Sequence, residues 1–292
     1  MKSGFVALIG RPNVGKSTIL NAILQSKISI VTPKSQTTRD NIQGIYNDDE
    51  SQIIFVDTPG IHKPHNDLGV ALDKMAYSTI RNCDLAVFVV DASKDFNDGD
   101  QFLFEHLKFD CPLIIAFNKI DLTNIDLITK LKEKYAEQFK TATIIELSAI
   151  REFNIKDLVD LIKKQLPEGP QYYDVSVVTN KDFKWQVQEV VREKCLKFLS
   201  EEVPHGIAVI CDDIKNTSRE ITIECRIICE KESQKGIIIG KGGKMIRKIG
   251  TTAREDLEKM TSKHVILNIV VRVVENWRNF SNYLVTLGYK EK

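Results

Sequence analysis

An apolar run, FVALIG at residues 5–10, passes straight into GRPNVGKS at 10–17 and then into TILNAIL. No other junction constrains the fold of this chain as tightly. The pattern G-x-x-x-x-G-K-[ST] works only as a loop that leaves a strand and opens a helix. Gly10 and Gly15 let the backbone curl so that its N–H groups converge, and the helix N-terminus adds partial positive charge. Such a cradle takes phosphate. Lys16 should reach the β and γ phosphates of a nucleotide, and the Ser17 hydroxyl should bind Mg2+. The loop Gly10, Arg11, Pro12, Asn13, Val14, Gly15, Lys16 and Ser17 is therefore the first candidate cofactor site.

The rest of the first half fits the same frame. Strand-like apolar runs at 53–60, 84–93, 112–121 and 142–149 alternate with helical patterns at 16–25, 69–80, 99–108, 124–139 and 154–166. Continuous β-branched runs suit strands buried on both faces, so this half should be α/β, a mostly parallel sheet with helices on both faces. QLPEGPQYYD at 165–174, with two prolines and a glycine, reads as a break. The domains expected are 1–168, a linker at 169–176, and 177–292. In the second part helical 183–200 precedes strand-like 207–214 and 219–230, then a glycine loop, helical 244–260, strand-like 264–275 and a helical tail at 276–287. That order implies a smaller α+β domain.

The phosphate loop does not choose between ATP and GTP, but NKID at 118–121 does. A carboxylate at Asp121 can accept from the guanine N1–H and 2-amino group. Adenine has neither donor, and leaving a desolvated carboxylate unpaired costs several kcal/mol in order of magnitude. Asn118 should hold the loop near the base, Lys119 should lay its stem over the ring, and Ile120 lies between them. SAI at 148–150 should supply the Ser148 and Ala149 N–H groups to the base oxygen. DTPG at 57–60 puts Asp57 where it can hold Mg2+ through water and the Gly60 N–H where it can touch the γ phosphate, with Thr58, Pro59 and the following Ile61 in the same loop. SQTTRD at 35–40 should give the metal a threonine hydroxyl, Thr38 being favoured over Thr37.

Ile61 occupies the position where Ras-like enzymes carry a water-orienting glutamine, and isoleucine cannot polarise water. His62 is adjacent, although a loop histidine is commonly just solvated. Asn13 is the better clue, because its amide could hold a monovalent cation against the phosphates. Asn13, Lys16, Thr38 and Gly60 are thus the catalytic candidates. Turnover should be slow, as suits a switch.

Net charge is only +1, yet residues 1–170 carry 20 Lys and Arg against 23 Asp and Glu, while 171–292 carry 21 against 17. The second part weakly favours an anionic partner. Six cysteines form no CxxC and fit a reducing cytosol. MKSGFVALIG is too short for a signal peptide, and no apolar run approaches the roughly 18 residues of a membrane span.

GRPNVGKS, TTRD, DTPGIHKP, NKID and LSA together resemble the translation-factor-related class of small bacterial GTPases. DTPGIHKP and the tail GIIIGKGGKMIRKIG with NW and LGY narrow the resemblance to the Era family, over nearly the whole chain. The resemblance implies a P-loop GTPase domain followed by a KH domain of type II topology. It implies GTP, GDP and Mg2+ as cofactors, with K+ a further cation in line with Asn13. It also implies binding to the 3′ end of small-subunit ribosomal RNA during assembly of the small ribosomal subunit. The implied location is the cytoplasm, with peripheral contact on the cytoplasmic side of the inner membrane, and no obligate protein partner is implied.

GKGG at 240–243 then acquires a meaning. It lacks the GK[ST] ending and has nothing to ligate Mg2+, so it is a poor nucleotide loop. In a KH domain, glycines without side chains let a helix–loop–helix press against about four nucleotides of RNA backbone. Gly240, Lys241, Gly242, Gly243, Lys244, Arg247 and Lys248 should meet the backbone. Ile237, Ile238 and Ile239 should line an apolar floor or pack the core. Trp185 and Trp277 are expected in the core rather than as stacking platforms. The competing expectations are a membrane- or protein-docking GTPase whose second domain binds no RNA, and an ATP-dependent enzyme.

Overall fold

The structure, a computed structural model, describes residues 1–287 and 289 apart from 33, 35, 36, 63, 65 and 201. Part of the SQTTRD stretch and one residue of DTPGIHKP thus lie outside the described residues. The chain forms two compact units, residues 1–65 with 69–180, and residues 66–68 with 181–292.

The first unit contains β1 (Lys2–Ile9), α1 (Lys16–Leu24), β2 (Ile42–Asn47), β3 (Ser51–Asp57), α2 (Asp67–Arg81), β4 (Leu85–Asp91), α3 (Asp98–His106), β5 (Leu113–Asn118), α4 (Ile125–Gln138), β6 (Thr143–Glu146) and α5 (Ile155–Gln165). The sheet order is β2-β3-β1-β4-β5-β6, parallel except for β2. β3, β4 and β5 are buried along their whole length, which is why they read as unbroken apolar runs. Ile19, Leu20 and Ile23 of α1 and Leu158, Val159 and Ile162 of α5 pack one face. Ala76 and Ile80 of α2, Leu103 and Phe104 of α3, and Leu131 and Tyr135 of α4 pack the other. Each such side chain stabilises by about 1.5–3 kcal/mol when fully buried. Chain order reverses on either side of β1, so a crevice opens at the carboxyl ends of the strands. GRPNVGKS, DTPG, NKID and SAI all start there.

Two features differ from the sequence expectation. β2 was not anticipated; it is an antiparallel strand at the sheet edge, turned onto β3 through Asp48, whose carboxylate accepts the Glu50 and Ser51 N–H groups at 3.0 and 2.8 Å. Residues 169–180, expected as linker and the start of the second domain, run along the first unit. The buried Gln52 accepts from the Tyr172 and Tyr173 N–H groups at 2.7 and 2.9 Å, and the Ile45 N–H donates to Val178 O at 2.9 Å. The expected break at 168/169 therefore moves to 180/181.

The second unit runs α6 (Phe183–Phe198), β7 (Ala208–Asn216), β8 (Glu220–Cys229), α7 (Glu232–Ile239), α8 (Lys244–Thr261), β9 (His264–Val273) and α9 (Ser281–Thr286). β8 lies centrally, antiparallel to β7 and parallel to β9, and the α-β-β-α-α-β order is the type II KH arrangement. Its core joins Val187, Val191 and Cys195 of α6 to Ile223, Cys225 and Ile227 of β8 and Ile249, Ala253 and Leu257 of α8. Trp277 is buried and its indole N–H donates to Gly206 O at 2.9 Å. Trp185 is half-buried, with the Lys181 ammonium 5.3 Å from its ring centre.

Candidate nucleotide and RNA sites

In the first unit a cleft of about 450 Å³ is lined by the phosphate loop, Ile30, Val31, Thr37, Thr38, Gly60, Lys94 and Lys119. Gly15 sits at φ 103°, and a Cβ there would fall 2.1 Å from Asn118 Nδ2. Glycine is required at that point both for the left-handed backbone and for the close approach. The Asn118 amide uses the space: Nδ2 donates to Val14 O at 2.8 Å, and Oδ1 accepts the Lys119 and Ala149 N–H groups at 2.8 and 3.0 Å. One side chain thereby joins the phosphate loop, NKID and SAI.

The Lys16 ammonium donates to Gly10 O at 3.1 Å and Arg11 O at 2.9 Å. Burial pulls its pKa down to about 8, with Asp57 opposing. The Ser17 hydroxyl lies 2.6 Å from Asp57 Oδ2 and 3.0 Å from the Thr38 hydroxyl. Thr37 is turned the other way, donating to Lys34 O at 2.6 Å. Asp57 is fully buried, and burial raises its pKa. Its Oδ2 also accepts from the Ser29 hydroxyl at 3.0 Å, while Oδ1 is buried with no hydrogen-bond partner. A buried carboxylate oxygen without a partner beside two hydroxyls is a hard, oxygen-only donor set, and it fits Mg2+.

Several predicted residues are tied into the fold. Val14, Thr58 and Ile61 are buried, and the Thr58 hydroxyl donates to Leu8 O at 2.8 Å. The Ile61 side chain packs into the sheet core and its N–H donates to Gly10 O at 3.2 Å. That explains an apolar residue there: it fastens the DTPG loop to the phosphate loop. Pro59 is buried beside it, and Gly60 comes so close to Pro12 that a Cβ would lie 2.6 Å from the Pro12 nitrogen. Arg11 points away from the cleft, its guanidinium 2.7 Å from Asn97 Oδ1 and 3.1 Å from Asp100 Oδ2. Asn13 is exposed at the cleft with φ 64°. His62 Nδ1 lies 3.2 Å from Gly60 O, which occupies it against the loop.

The base edge needs a correction. The Ser148 N–H donates to Phe153 O at 3.2 Å and the Ala149 N–H to Asn118 Oδ1 at 3.0 Å, so both donors assigned to the guanine oxygen brace the loop instead. The Asp121 carboxylate accepts from the Ser148 hydroxyl at 2.6 Å. Ile120 is half-buried against the sheet core. Lys119, at φ 67°, sends its ammonium to Asn13 O at 2.7 Å and Asp91 Oδ2 at 2.6 Å. Sequence reasoning missed Asp91 and Lys94. The only signal was DAS directly after an apolar strand.

In the second unit Gly240, Gly242 and Gly243 take φ of 72°, 61° and 74°, and a Cβ on Gly242 or Gly243 would meet nothing within 4 Å. This loop is left-handed and bare, open to the approach of another backbone. Lys241, Lys244 and Arg247 are exposed and form no ion pair among the described residues. Lys248 is exposed with its ammonium 4.3 Å over the Phe198 ring. A groove of about 440 Å³ runs from the loop between α8 and β9, lined by Gly243, Ile246, Arg247, Gly250, Thr251, Arg254, Leu267 and Ile269.

That groove revises the isoleucine assignment. Ile238 is wholly buried in the core and cannot contact RNA. Ile237 is 48% exposed and Ile239 half-buried, both on α7, outside the groove lining. The apolar floor is Ile246, Leu267 and Ile269. Arg254 and the floor were missed, although 243, 247, 250 and 254 share one helical face by spacing.

Comparison with known proteins agrees with the pairing of the two domains. Residues 5–119 match the model of the 50S ribosome-binding GTPase family, and residues 202–278 match that of the KH domain. The chain is 47% identical over 292 residues to GTPase Era of Clostridium kluyveri, covering 99% of this chain and 100% of that one. It is also 47% identical over 291 residues to GTPase Era of Thermoanaerobacter pseudethanolicus, covering 99% and 96%. Among solved structures, Era in complex with MgGDPNP and nucleotides 1506–1542 of 16S ribosomal RNA superposes with a TM-score of 0.95 at 35% identity, covering 99% of both chains. A single-substitution variant of Aquifex aeolicus Era bound to GDP.AlF4- gives 0.94 at 36% identity, with the same coverage.

Proposed function

The chain belongs to the Era family of GTPases, and on that premise we propose that it binds and hydrolyses GTP in the first unit and holds the 3′ end of small-subunit ribosomal RNA in the second. It would act as a GTP-dependent switch in assembly of the small ribosomal subunit. The observation that carries this reading is that one chain holds two different glycine loops, one closed around Lys16 and hydroxyl donors, the other bare and flanked by exposed cations that form no ion pair among the described residues.

Ser17, Thr38 and Asp57 would hold Mg2+, which supplies positive charge against the developing charge of the γ phosphate. Lys16 adds a second charge, and phosphate would favour its protonated form against burial, which pulls its pKa down to about 8. Asp121 selects guanine, and Asn118 keeps that selection in register with the phosphate loop. The side chain after DTPG is committed to the core, so no residue there orients water. Backbone N–H groups of the loop, the exposed Asn13 and a K+ ion held there would carry that part, which suits slow turnover.

On the second unit, Lys241, Lys244 and Arg247 would meet phosphates while bases enter the groove over Leu267 and Ile269. The proposal extends to a cytoplasmic location with peripheral contact at the inner membrane. No helix among the described residues is long and apolar enough to cross one. The test is fluorescence anisotropy with an RNA copying the 3′ end of 16S ribosomal RNA. Affinity should fall with salt, and replacing Lys241 and Lys244 by alanine should weaken binding and flatten the salt slope by about 0.7 per lost phosphate contact. Affinity indifferent to salt and to both lysines would instead favour a protein- or membrane-docking role.

A further inference from the structure

Asp57 is gripped by a residue outside every motif of the nucleotide site. The Ser29 hydroxyl donates to Asp57 Oδ2 at 3.0 Å, and Ser29 is 1% exposed. Its position is imposed from behind. Asn21 of α1 donates through Nδ2 to Ser29 O at 2.7 Å and accepts through Oδ1 the N–H groups of Ile28 and Ser29, each at 3.0 Å. Three hydrogen bonds from one amide fix the backbone on both sides of the serine Cα. The hydroxyl is left with the buried carboxylate as its partner.

We propose that the Asn21–Ser29 pair is a positioning device for the Mg2+ site, acting through Asp57. Of the two hydroxyls that donate to Oδ2, Ser17 is itself one of the expected metal-holding groups. Ser29 is not. It holds Oδ2 from the protein side and leaves Oδ1, the oxygen without a partner, as the one not engaged by the protein. The same serine begins the stretch that runs on to Thr38, so a single anchor ties the carboxylate and the start of that stretch together. Ser29 is buried and does not line the cleft, so its effect should appear in metal affinity and not in nucleotide contacts.

This inference rests on the nucleotide reading above, and the experiment separates the two. The full chain is loaded with N-methylanthraniloyl-GDP, and its release is followed as free Mg2+ is buffered downward. Ser29→Ala should raise the Mg2+ concentration at half-maximal retention by about ten-fold, the lower end for loss of a supporting hydrogen bond at a metal site. The release rate without Mg2+ should not change. Asn21→Ala should give the same shift, and the double variant should add nothing to the larger single effect. Ser29→Thr keeps the donor and should bring the midpoint back toward that of the parent. An unmoved midpoint in Ser29→Ala overturns the proposal, as does equal acceleration of the Mg2+-free rate, which would mark a general loosening of the loop. A parent chain that retains the nucleotide regardless of Mg2+ overturns the underlying reading, and the proposal with it.

Discussion

At the level of single residues, the cleft shows which functions announce themselves in sequence. Lys16, Ser17, Asp57 and Asp121 lie inside short motifs whose spacing is dictated by a strand ending and a helix starting, so they were legible. Asp91, Ser29 and Asn21 were not. Their roles come from contacts with Lys119 and Asp57 across 28 residues and across an 8-residue turn, and no local pattern marks a serine or aspartate that does this. Asp91 makes the point testable. Its carboxylate accepts the Lys119 ammonium at 2.6 Å and is steadied by the Ser93 hydroxyl at 2.6 Å. These bonds hold its pKa below the usual carboxylate value against the opposing effect of burial. Lys119 also touches Asn13 O, so the pair ties NKID to the phosphate loop. A hydrogen bond to a charged group contributes about 1.5–3 kcal/mol. Asp91→Asn should therefore weaken GDP binding by about ten-fold or more, read as faster release of fluorescent GDP, with its Mg2+ dependence unchanged.

At the level of elements, apolar runs located five of the six strands in the first unit because those strands are covered on both faces. β2 escaped because IQGIYN mixes polar residues and a glycine into its apolar ones, and its burial comes from α1 and from residues 172–179, which no local pattern could place there. The tail at 276–287 was expected as one helix. It is a short turn at Trp277–Asn279 followed by α9, because Asn276 adopts a left-handed φ of 51° and Trp277 turns inward. α2 carries a different lesson. It begins just beyond the DTPG loop, and Asp73 on it is only 8% exposed, with Oδ1 lacking a hydrogen-bond partner and 4.0 Å from His62 Nδ1. Burial pushes its pKa up to about 6, the His62 backbone opposing. Between about pH 4 and pH 6 the folded chain keeps a proton that the unfolded chain has released. Folding stability therefore falls as pH rises through that window, and the penalty is complete above it. Asp73→Asn removes the penalty. It should stabilise the first unit by up to about 3 kcal/mol at pH 7.5 and by almost nothing at pH 4, since one pKa unit is about 1.4 kcal/mol. Thermal unfolding of parent and variant at the two pH values checks this.

At the level of the whole molecule, each unit closes its own core, and each carries one of the two sites. The charge asymmetry follows the same division, with the excess of cations in the part that holds GKGG. Two separate cores mean that neither site needs the other in order to form. A switch then needs a free-energy coupling between GTP and RNA, and such a coupling is reciprocal. If the GTP-bound chain grips RNA more tightly than the GDP-bound chain by some factor, RNA must raise the preference for GTP over GDP by that same factor. Couplings of this kind typically amount to about 5–150-fold. The expected outcome is two equal ratios. One is RNA affinity with a non-hydrolysable GTP analogue over that with GDP. The other is analogue affinity relative to GDP with saturating RNA over the same quantity without it. Because hydrolysis takes no part in either equilibrium, slow turnover cannot distort the comparison. Equal RNA affinity in the two nucleotide states would leave a GTPase and an RNA-binding domain on one chain with no switch between them.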